Sequence, residues 1–314
     1  MTKEVRMKEI WLEMTKGVEI EEINTGKVLL KSDGNICFIS VKTAEDQQKV
    51  IDESKRKEYV FVDFKDWTVI PLENIIAKKG KGKVIVQLDS IELLTVAINV
   101  LEKGADGILL LLNDEKNIDL VKSLIRKVGK IELKEAVVQE VKFLWHPGHR
   151  VCLDTHSLFQ ESEGVLLGNF SNLLFLVANE SEDNEFINPR PFRVNAGSMA
   201  HYLKVGSETK YLSELSSGDE IEIVDWRGDT KRTHLSRVKI EKRPMLLIRA
   251  FEFEFGRTGT ITLQNAETIK LFGPDGKRIP VTSLKPGDKI LVYSPQFSAG
   301  RHFGVPVEET IIER

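Results

Sequence analysis

The first half of the chain alternates between short apolar runs and longer amphipathic stretches. Apolar runs at residues 36–41, 59–62, 83–88 and 107–112 predict buried strands. The intervening and following stretches predict helices at residues 43–57, 71–77, 90–103 and 118–128, with Pro71 in a first turn and Ser90 as an N-cap. Strands that alternate with helices usually pair in parallel, so this half is predicted to be a parallel βα-repeat domain. The pattern does not distinguish a barrel from an open sheet.

Beyond about residue 137, strand-like alternation and turns rich in Gly, Pro and Asp replace the helical stretches. The pattern Leu-x-x-Gly-Asp-x-Ile occurs twice here, at residues 215–221 and 284–290, and each copy follows an Asn-Ala pair, at 195–196 and 265–266. We interpret this as an internal repeat of two related β-units, about residues 190–255 and 260–314. Chance similarity between two hairpins is the alternative.

The predicted fold class is therefore α/β plus all-β. An α/β domain at residues 1–136 is expected to precede a β-rich domain at residues 137–314, which contains the two related units.

Composition restricts the kind of partner. The 314 residues are 41% hydrophobic and 30% charged, which allows a sizeable core, and the formal net charge of −3 disfavours nucleic acid or an anionic membrane surface. Only Cys37 and Cys152 are present, and the charged start has no signal-peptide pattern, so a cytoplasmic location is expected. The longest apolar run is too short to cross a bilayer. Composition leaves the oligomeric state open, and a homo-oligomer is one option.

Most cofactor motifs are missing from the sequence. No Gly-x-Gly-x-x-Gly follows a strand, since the Gly-rich run at residues 80–82 precedes one. Walker-type and Cys-x-x-Cys patterns are also absent. The residues therefore give no direct indication of a nucleotide or zinc site.

A candidate metal site lies within residues 146–156. If residues 151–156 form a strand, Cys152, Asp154 and His156 point to one face, where they could bind manganese, iron or zinc. The alternative is an ordinary strand with one polar face.

A candidate anion site follows at residues 190–197. Arg190 and Arg193 flank a turn that contains Pro191, and guanidinium groups suit a carboxylate or phosphate. Asn195 precedes a small Ala-Gly pair whose backbone N–H groups an anion could approach. Solvated or salt-bridged arginines are the alternative.

The third candidate is His302, which stands between glycines at 300 and 304 and close to Glu308 and Glu309. A histidine in this setting could act as a general acid/base or a metal ligand. A turn followed by a charged tail explains the same pattern.

Taken together, these segments resemble the type II (archaeal-type) 3-dehydroquinate synthase family. The resemblance covers the chain from about residue 57 to the end. It is carried by residues 66–77, 101–107, 150–155, 190–197, 211–215, 237–241, 263–269 and 300–304.

The resemblance implies an enzyme that uses NAD to deaminate 2-amino-3,7-dideoxy-D-threo-hept-6-ulosonate oxidatively and cyclises the product to 3-dehydroquinate. Such a reaction needs a hydride acceptor, an anchor for the substrate carboxylate and an acid/base. The implied substrate-binding residues are Arg150, Arg190, Arg193 and Asn195, the implied catalytic residues are Glu180 and His302, and Asp154 and His156 are the implied metal ligands.

The chain departs from the family pattern at three places. Family members carry Asp at the position of His149 and His at the position of Ala178, and their histidine after Asn-Ala-Gly stands one place before His201. Two alternatives follow. The chain could resemble the related 3-amino-4-hydroxybenzoate synthases, which are associated with manganese and perform no net nicotinamide redox step. It could also be a non-catalytic relative that binds a small anionic metabolite or a partner.

Overall fold

The computed structural model describes residues 8–13, 19–65, 68–88, 92–101, 103–110, 129–183, 185–295, 299–302 and 305–308. Contacts divide the chain into two compact units, Met1–Arg126 and Lys127–Arg314. Within the described residues, no helix combines the length and the apolar character needed to cross a membrane.

The first unit is built on a seven-stranded sheet. Its strands are β1 (Glu9–Glu13), β2 (Glu19–Glu22), β3 (Lys27–Leu30), β4 (Ile36–Val41), β5 (Tyr59–Phe64), β6 (Lys83–Leu88) and β7 (Gly107–Leu110), and its helices are α1 (Ala44–Glu53), α2 (Val69–Lys78) and α3 (Glu92–Asn99). The strand order is β3-β2-β1-β7-β6-β5-β4. Strands β1, β7, β6, β5 and β4 pair in parallel, and β2 and β3 continue the sheet antiparallel, so the α/β prediction is confirmed.

The helices of this unit pack on one face of the sheet. Val50, Leu72 and Leu94 from the three helices share one core cluster with Val60 and Val84 from the strands. Helix α1 begins at a capping box, because the Thr43 side chain accepts from the backbone N–H of Asp46, whose carboxylate accepts from that of Thr43. The opposite face carries a second buried cluster: Trp11, Ile20, Ile36, Tyr59, Phe61, Ile85 and Leu109.

Strands β1 to β3 are absent from the sequence-based prediction. Strand β1 has only three apolar residues between two glutamates, and it is completed by parallel pairing with β7, almost a hundred residues later. Because the pairing partner is so distant in sequence, no local periodicity marks β1 as a strand. The predicted helix at 118–128 lies outside the described residues.

The second unit is formed around a 13-stranded antiparallel sheet. Its strands are β8 (Gly129–Lys130), β9 (Lys134–Thr155), β10 (Glu163–Phe170), β11 (Leu173–Ala178), β12 (Arg193–Ser198), β13 (Tyr202–Val205), β14 (Glu208–Tyr211), β15 (Glu220–Asp225), β16 (Asp229–Glu252), β17 (Arg257–Gln264), β18 (Lys270–Phe272), β19 (Arg278–Pro280) and β20 (Lys289–Tyr293). A 3₁₀ helix spans Leu212–Glu214, and β21 (Ala299–His302) pairs with β22 (Val305–Glu308) in a separate hairpin. The β-rich character predicted for this half is confirmed.

The two longest strands organise this unit. Strand β9 has 22 residues and pairs antiparallel with the 24-residue β16 over most of its length. On its other edge, the last residues of β9 pair with β12. Strand β9 begins at Lys134, so the boundary predicted after residue 136 falls inside it. The C-terminal end of β9 therefore lies between β12 and the middle of β16. These three segments carry the polar residues described below.

The two Leu-x-x-Gly-Asp-x-Ile segments fold into equivalent turns. Gly218 and Gly287 have φ values of +93° and +98°, which favour glycine, and the Asp219 and Asp288 carboxylates each accept a backbone N–H three residues earlier at 2.8 Å. Each glycine N–H donates at 2.8 Å to a carbonyl of a long strand, in β16 for the first turn and in β9 for the second. Strands β15 and β20 begin directly after these turns, as the sequence predicts.

Candidate active site

The pairing register of three neighbouring strands, β9, β12 and β16, positions the side chains of the site. Along β9, Arg150, Cys152 and Asp154 alternate with apolar residues and therefore share one face. Asp154 lies opposite Arg193 of β12 and Arg237 of β16. Cys152 and Arg150 occupy the next two rows. Their partners are Asn195 and Lys239 for Cys152, and Ser198 and Glu241 for Arg150. The strand pairing thus gathers guanidinium, carboxylate and amide groups on one face of the sheet.

Asp154 is held by two arginines. Its Oδ1 and Oδ2 accept from Nε and Nη2 of Arg193 at 2.6 and 2.8 Å, and its Oδ2 accepts from Nε and Nη2 of Arg237 at 2.8 and 2.5 Å. Burial alone would raise the pKa of Asp154, but the hydrogen bonds from the two guanidiniums outweigh it and hold that pKa below its ordinary value. Asp154 is therefore an ionised carboxylate that orients two arginines.

Glu180 lies next to Arg193, but the charge of its carboxylate is compensated much less than that of Asp154. Its backbone N–H donates to the Arg193 carbonyl at 2.8 Å, and its carbonyl accepts from the Arg190 N–H at 2.6 Å. The nearest guanidinium is Arg190, whose Nη1 lies 3.5 Å from Glu180 Oε2. Burial raises the pKa of Glu180, and the positive charges of Arg193, Arg190 and Arg150 offset this only in part. A carboxyl group with a raised pKa holds its proton more readily than an exposed glutamate does, which suits it to proton transfer.

Local structure fixes the backbone around Glu180. The side-chain amide of Asn179 donates to the carbonyls of Gln160 and Glu163 at 2.7 and 2.6 Å, and its oxygen accepts from the Ser181 N–H at 2.8 Å. On the other side, the Arg193 N–H donates to the Arg190 carbonyl at 2.9 Å, which closes a turn with Pro191 in its second position. The Pro-containing turn predicted from the sequence is present.

Arg150 and Asn195 extend the polar face. Arg150 is buried, its Nη2 donates to Glu241 at 2.9 Å, and its Nη1 contacts the Cys152 sulfur. The Asn195 amide donates to Gln264 at 2.9 Å. Among the described residues, the buried Arg150 Nε and Asn195 Oδ1 find no hydrogen-bond partner. Buried polar atoms normally have partners, so each of these two leaves a donor or acceptor available to a bound molecule.

A cavity of about 580 Å³ opens beside Glu180. Its lining combines polar and apolar side chains: Asn179, Glu180, Glu182, Phe186, Ile187, Asn188, Glu267, Thr268, Lys270 and Pro280. This volume is within the range of small-molecule sites. Glu180 thus belongs both to the cavity wall and to the polar cluster that includes Arg190 and Arg193.

The structure brings together six of the eight site residues that the resemblance implies. Arg150, Asp154, Glu180, Arg190, Arg193 and Asn195 lie in one connected polar cluster. His156 follows the end of β9, is exposed, and stacks on His234 with ring centroids 5.6 Å apart. The backbone of His302 closes β21, but its side chain lies outside the described residues.

Asp154 and His156 do not fit a metal site. Both oxygens of Asp154 are occupied by guanidinium groups, whose positive charge would repel a cation. His156 stands beyond the strand end instead of continuing the alternation of Cys152 and Asp154. In the described part of the chain, no three His, Cys, Asp or Glu side chains are grouped to hold a metal.

The described residues do not identify a binding site for the NAD that the resemblance implies. Ligands of parallel sheets bind beyond the carboxyl ends of the strands. In the first unit, the ends of β5, β6 and β7 lead into residues 66–67, 89–91 and 111–128, which are outside the described residues.

Several site residues were missed by the sequence interpretation. Arg237 and Glu241 orient Asp154 and Arg150, and both belong to the 237–241 segment, whose alternation could have placed them on one face. Lys270 lines the cavity and directly follows the 263–269 segment. His201 is fully buried between the Ala196 carbonyl and the Thr262 N–H, so it has a structural role.

Family comparisons agree with this architecture. Residues 6–125 match the 3-dehydroquinate synthase II N-terminal domain, and residues 135–314 match the 3-dehydroquinate synthase II C-terminal domain. The chain belongs to the 3-dehydroquinate synthase II family. The polar cluster and the cavity both lie within the part that matches the C-terminal domain of this family.

Relatives in the 3-dehydroquinate synthase II family are similar over most of their length. The chain is 48% identical to a 3-dehydroquinate synthase of Archaeoglobus fulgidus, with 88% of this chain and 83% of the relative covered. It is 46% identical to one of Methanothrix thermoacetophila, with 88% and 76% covered, and 40% identical to one of Methanocaldococcus jannaschii, with 96% and 83% covered. No solved structure matches the chain significantly.

Proposed function

We propose that this chain is a 3-dehydroquinate synthase that acts on 2-amino-3,7-dideoxy-D-threo-hept-6-ulosonate. It oxidises the amino-bearing carbon C2 to an imine, which water hydrolyses to the C2 ketone and ammonia, and then joins C7 to C2 to form the six-membered ring of 3-dehydroquinate. Family membership supports the reaction class, because the similar archaeal proteins carry this name. Bound NAD would supply the hydride acceptor for the first stage.

The observation that carries the proposal is the setting of Glu180. This carboxyl group is 11% exposed, has a raised pKa, lies at the wall of a cavity of about 580 Å³, and feels the positive charges of Arg193, Arg190 and Arg150. Both stages of the reaction require proton transfers at carbon, nitrogen or oxygen, and a carboxyl group with a raised pKa is suited to them. We therefore assign Glu180 the role of general acid/base.

Arginines of the cluster serve as the anchor for the substrate carboxylate. Arg193 uses two of its nitrogens on Asp154, whereas Arg190 is 45% exposed and 3.5 Å from Glu180, so Arg190 is the better placed of the two to turn towards a substrate. The unsatisfied Arg150 Nε and Asn195 Oδ1 provide a further donor and acceptor. His302 stays a second acid/base candidate.

We also propose that residues 190–255 and 260–314 are related β-units. The equivalent turns before β15 and β20, with their matching glycine, aspartate and long-strand contacts, support this relationship.

The reaction is tested by supplying the amino-heptulosonate with NAD, with manganese, and with neither. NADH and 3-dehydroquinate formed together with NAD would support the proposal. An aromatic amine formed only with manganese would contradict the proposal and support the alternative of a reaction like that of the 3-amino-4-hydroxybenzoate synthases. Substrate binding without turnover in any of the three mixtures would indicate the non-catalytic alternative.

A further inference from the structure

Ring closure imposes a chemical requirement that Glu180 alone does not meet. The C7 methyl group must lose a proton while the C6 carbonyl accepts the electron pair, and the resulting enolate oxygen needs a positive group close by. Among the described residues, the lining of the cavity beside Glu180 includes one lysine, Lys270, at the start of β18. Its side chain is only 15% exposed.

The surroundings of Lys270 suit an ammonium group held inside a cavity. Its Nζ contacts the carboxylate of Glu182, whose side chain is 47% exposed. Burial and the neighbouring charge of Arg278 lower the pKa of Lys270. Arg278 is in turn held by Ser181, at 3.2 Å from its Nη1. The Lys270 ammonium therefore lies in the cavity with an ion-pair partner that is itself about half exposed, and an oxyanion beside it would be favoured.

We propose that Lys270 is a catalytic residue that stabilises the C6 enolate during ring closure. This inference rests on the proposed function and names a second residue in the same cavity. The C7 proton passes to the Glu180 carboxylate as the C–H electron pair forms the C6–C7 double bond and the carbonyl pair moves to the C6 oxygen, next to the Lys270 ammonium. The enolate then attacks the C2 carbonyl carbon, the C6 carbonyl re-forms, and the C2 oxygen takes the proton back from Glu180.

The enolisation step can be measured without oxidation or ring closure. The full chain is incubated in D₂O with the amino-heptulosonate and NADH, which cannot accept a hydride, and loss of the C7 methyl proton signal is followed by NMR. The wild-type protein is expected to accelerate this exchange. Lys270→Met is expected to slow it by about 10²–10³-fold, the usual loss when one oxyanion-stabilising group is removed.

Two further variants separate a chemical role from a structural one. Lys270→Arg keeps the charge and is expected to recover part of the exchange rate, whereas Lys289→Met, which removes a 63% exposed lysine paired with Glu135 on β9, is expected to behave like the wild type. Glu182→Gln removes the ion-pair partner of Lys270, and it is expected to lower the exchange rate less than Lys270→Met does. Equal losses in Glu182→Gln and Lys270→Met would overturn the inference, because Lys270 would then act only through its ion pair.

Other outcomes are equally decisive. Exchange at the wild-type rate in folded Lys270→Met, or dehydroquinate formation by a wild-type protein that does not accelerate exchange, would overturn the role of Lys270 and leave the proposed function standing. Trapping of substrate on Lys270 by borohydride would also overturn it, because a covalent imine would replace the enolate stabilised by an ammonium. Absence of both NADH and dehydroquinate in the complete reaction would instead refute the proposed function.

Discussion

The second unit buries charge in two different ways. Around Lys204 and Glu222, both side chains are less than 10% exposed and their charged atoms lie 2.6 Å apart. Lys204 also donates to the Gly206 carbonyl at 2.6 Å and lies over the Tyr293 ring. Around Glu180, a carboxylate that is 11% exposed is 3.5 Å from an arginine that is 45% exposed.

This difference separates charges that stabilise a fold from charges that are available for chemistry. A buried ion pair with close contacts resists the loss of either partner, because the other charge would then be buried alone. A buried carboxylate with a long, partly solvated contact has a raised pKa and can exchange its proton. We therefore expect changes near Glu180 to affect turnover more than stability, and changes near Lys204 to do the reverse.

The largest effect is expected for Glu180→Gln. Loss of the acid/base should reduce kcat by about 10²–10⁴-fold, as measured by dehydroquinate formation. The free energy of unfolding at neutral pH should be unchanged or higher, because an incompletely compensated buried charge is removed. Glu135→Gln, which changes a carboxylate that is 53% exposed, is the matched control and should keep its activity. Normal turnover in Glu180→Gln would show that the two regions do not differ in this way.

The opposite result is expected for Lys204→Met. It leaves the buried Glu222 carboxylate without its partner, which should lower the free energy of unfolding by about 3–5 kcal/mol in urea titrations. Turnover per folded molecule should change little. Combining Lys204→Met with Glu222→Leu should restore much of the stability, since no unpaired charge then stays buried. If Lys204→Met alone is as stable as the wild type, the Lys204–Glu222 pair does not stabilise the fold in the way proposed.

A smaller, pH-dependent effect is expected from His201. Burial lowers the pKa of His201 from 6.5 to about 4, and the ring stays neutral between the Ala196 carbonyl and the Thr262 N–H. Because the folded pKa lies below the unfolded value, this contribution is complete above about pH 6.5 and is lost as the pH falls towards 4. The loss amounts to about 3 kcal/mol.

Unfolding free energies measured across this pH range check the prediction. His201→Gln should flatten the acid decline. Glu180 acts with the opposite sign, because its raised pKa makes the folded protein bind a proton more readily and so favours folding as the pH falls. An acid decline that is identical in His201→Gln and the wild type would contradict the structural role of His201.

Much of the fold and part of the site could be predicted from sequence. The apolar runs of β4 to β7 and the Gly-Asp turns before β15 and β20 are local patterns, and the structure contains them. Alternation placed Cys152 and Asp154 on one face of a strand. Alternation could not show that Asp154 would be bound by Arg237, from 83 residues later, because side-chain pairing across strands depends on register.

The metal site predicted at Asp154 and His156 does not fit the structure for the same reason. Asp154 and His156 are two residues apart, which suits a shared face only while the strand continues, and β9 ends at Thr155. In addition, the oxygens of Asp154 are already occupied by two guanidinium groups from other strands.

By itself, the sequence determined the order of strands β4 to β7 and their helices, the change from βα units to β-rich structure, and the residue types available for acid/base and anion-binding chemistry. Tertiary structure alone decided which charges are compensated: Lys204 and Asp154 closely, Glu180 only in part. The reason is physical. Periodicity and turn preference act between neighbours along the chain, whereas burial and ion pairing depend on residues that strand pairing brings together from distant positions.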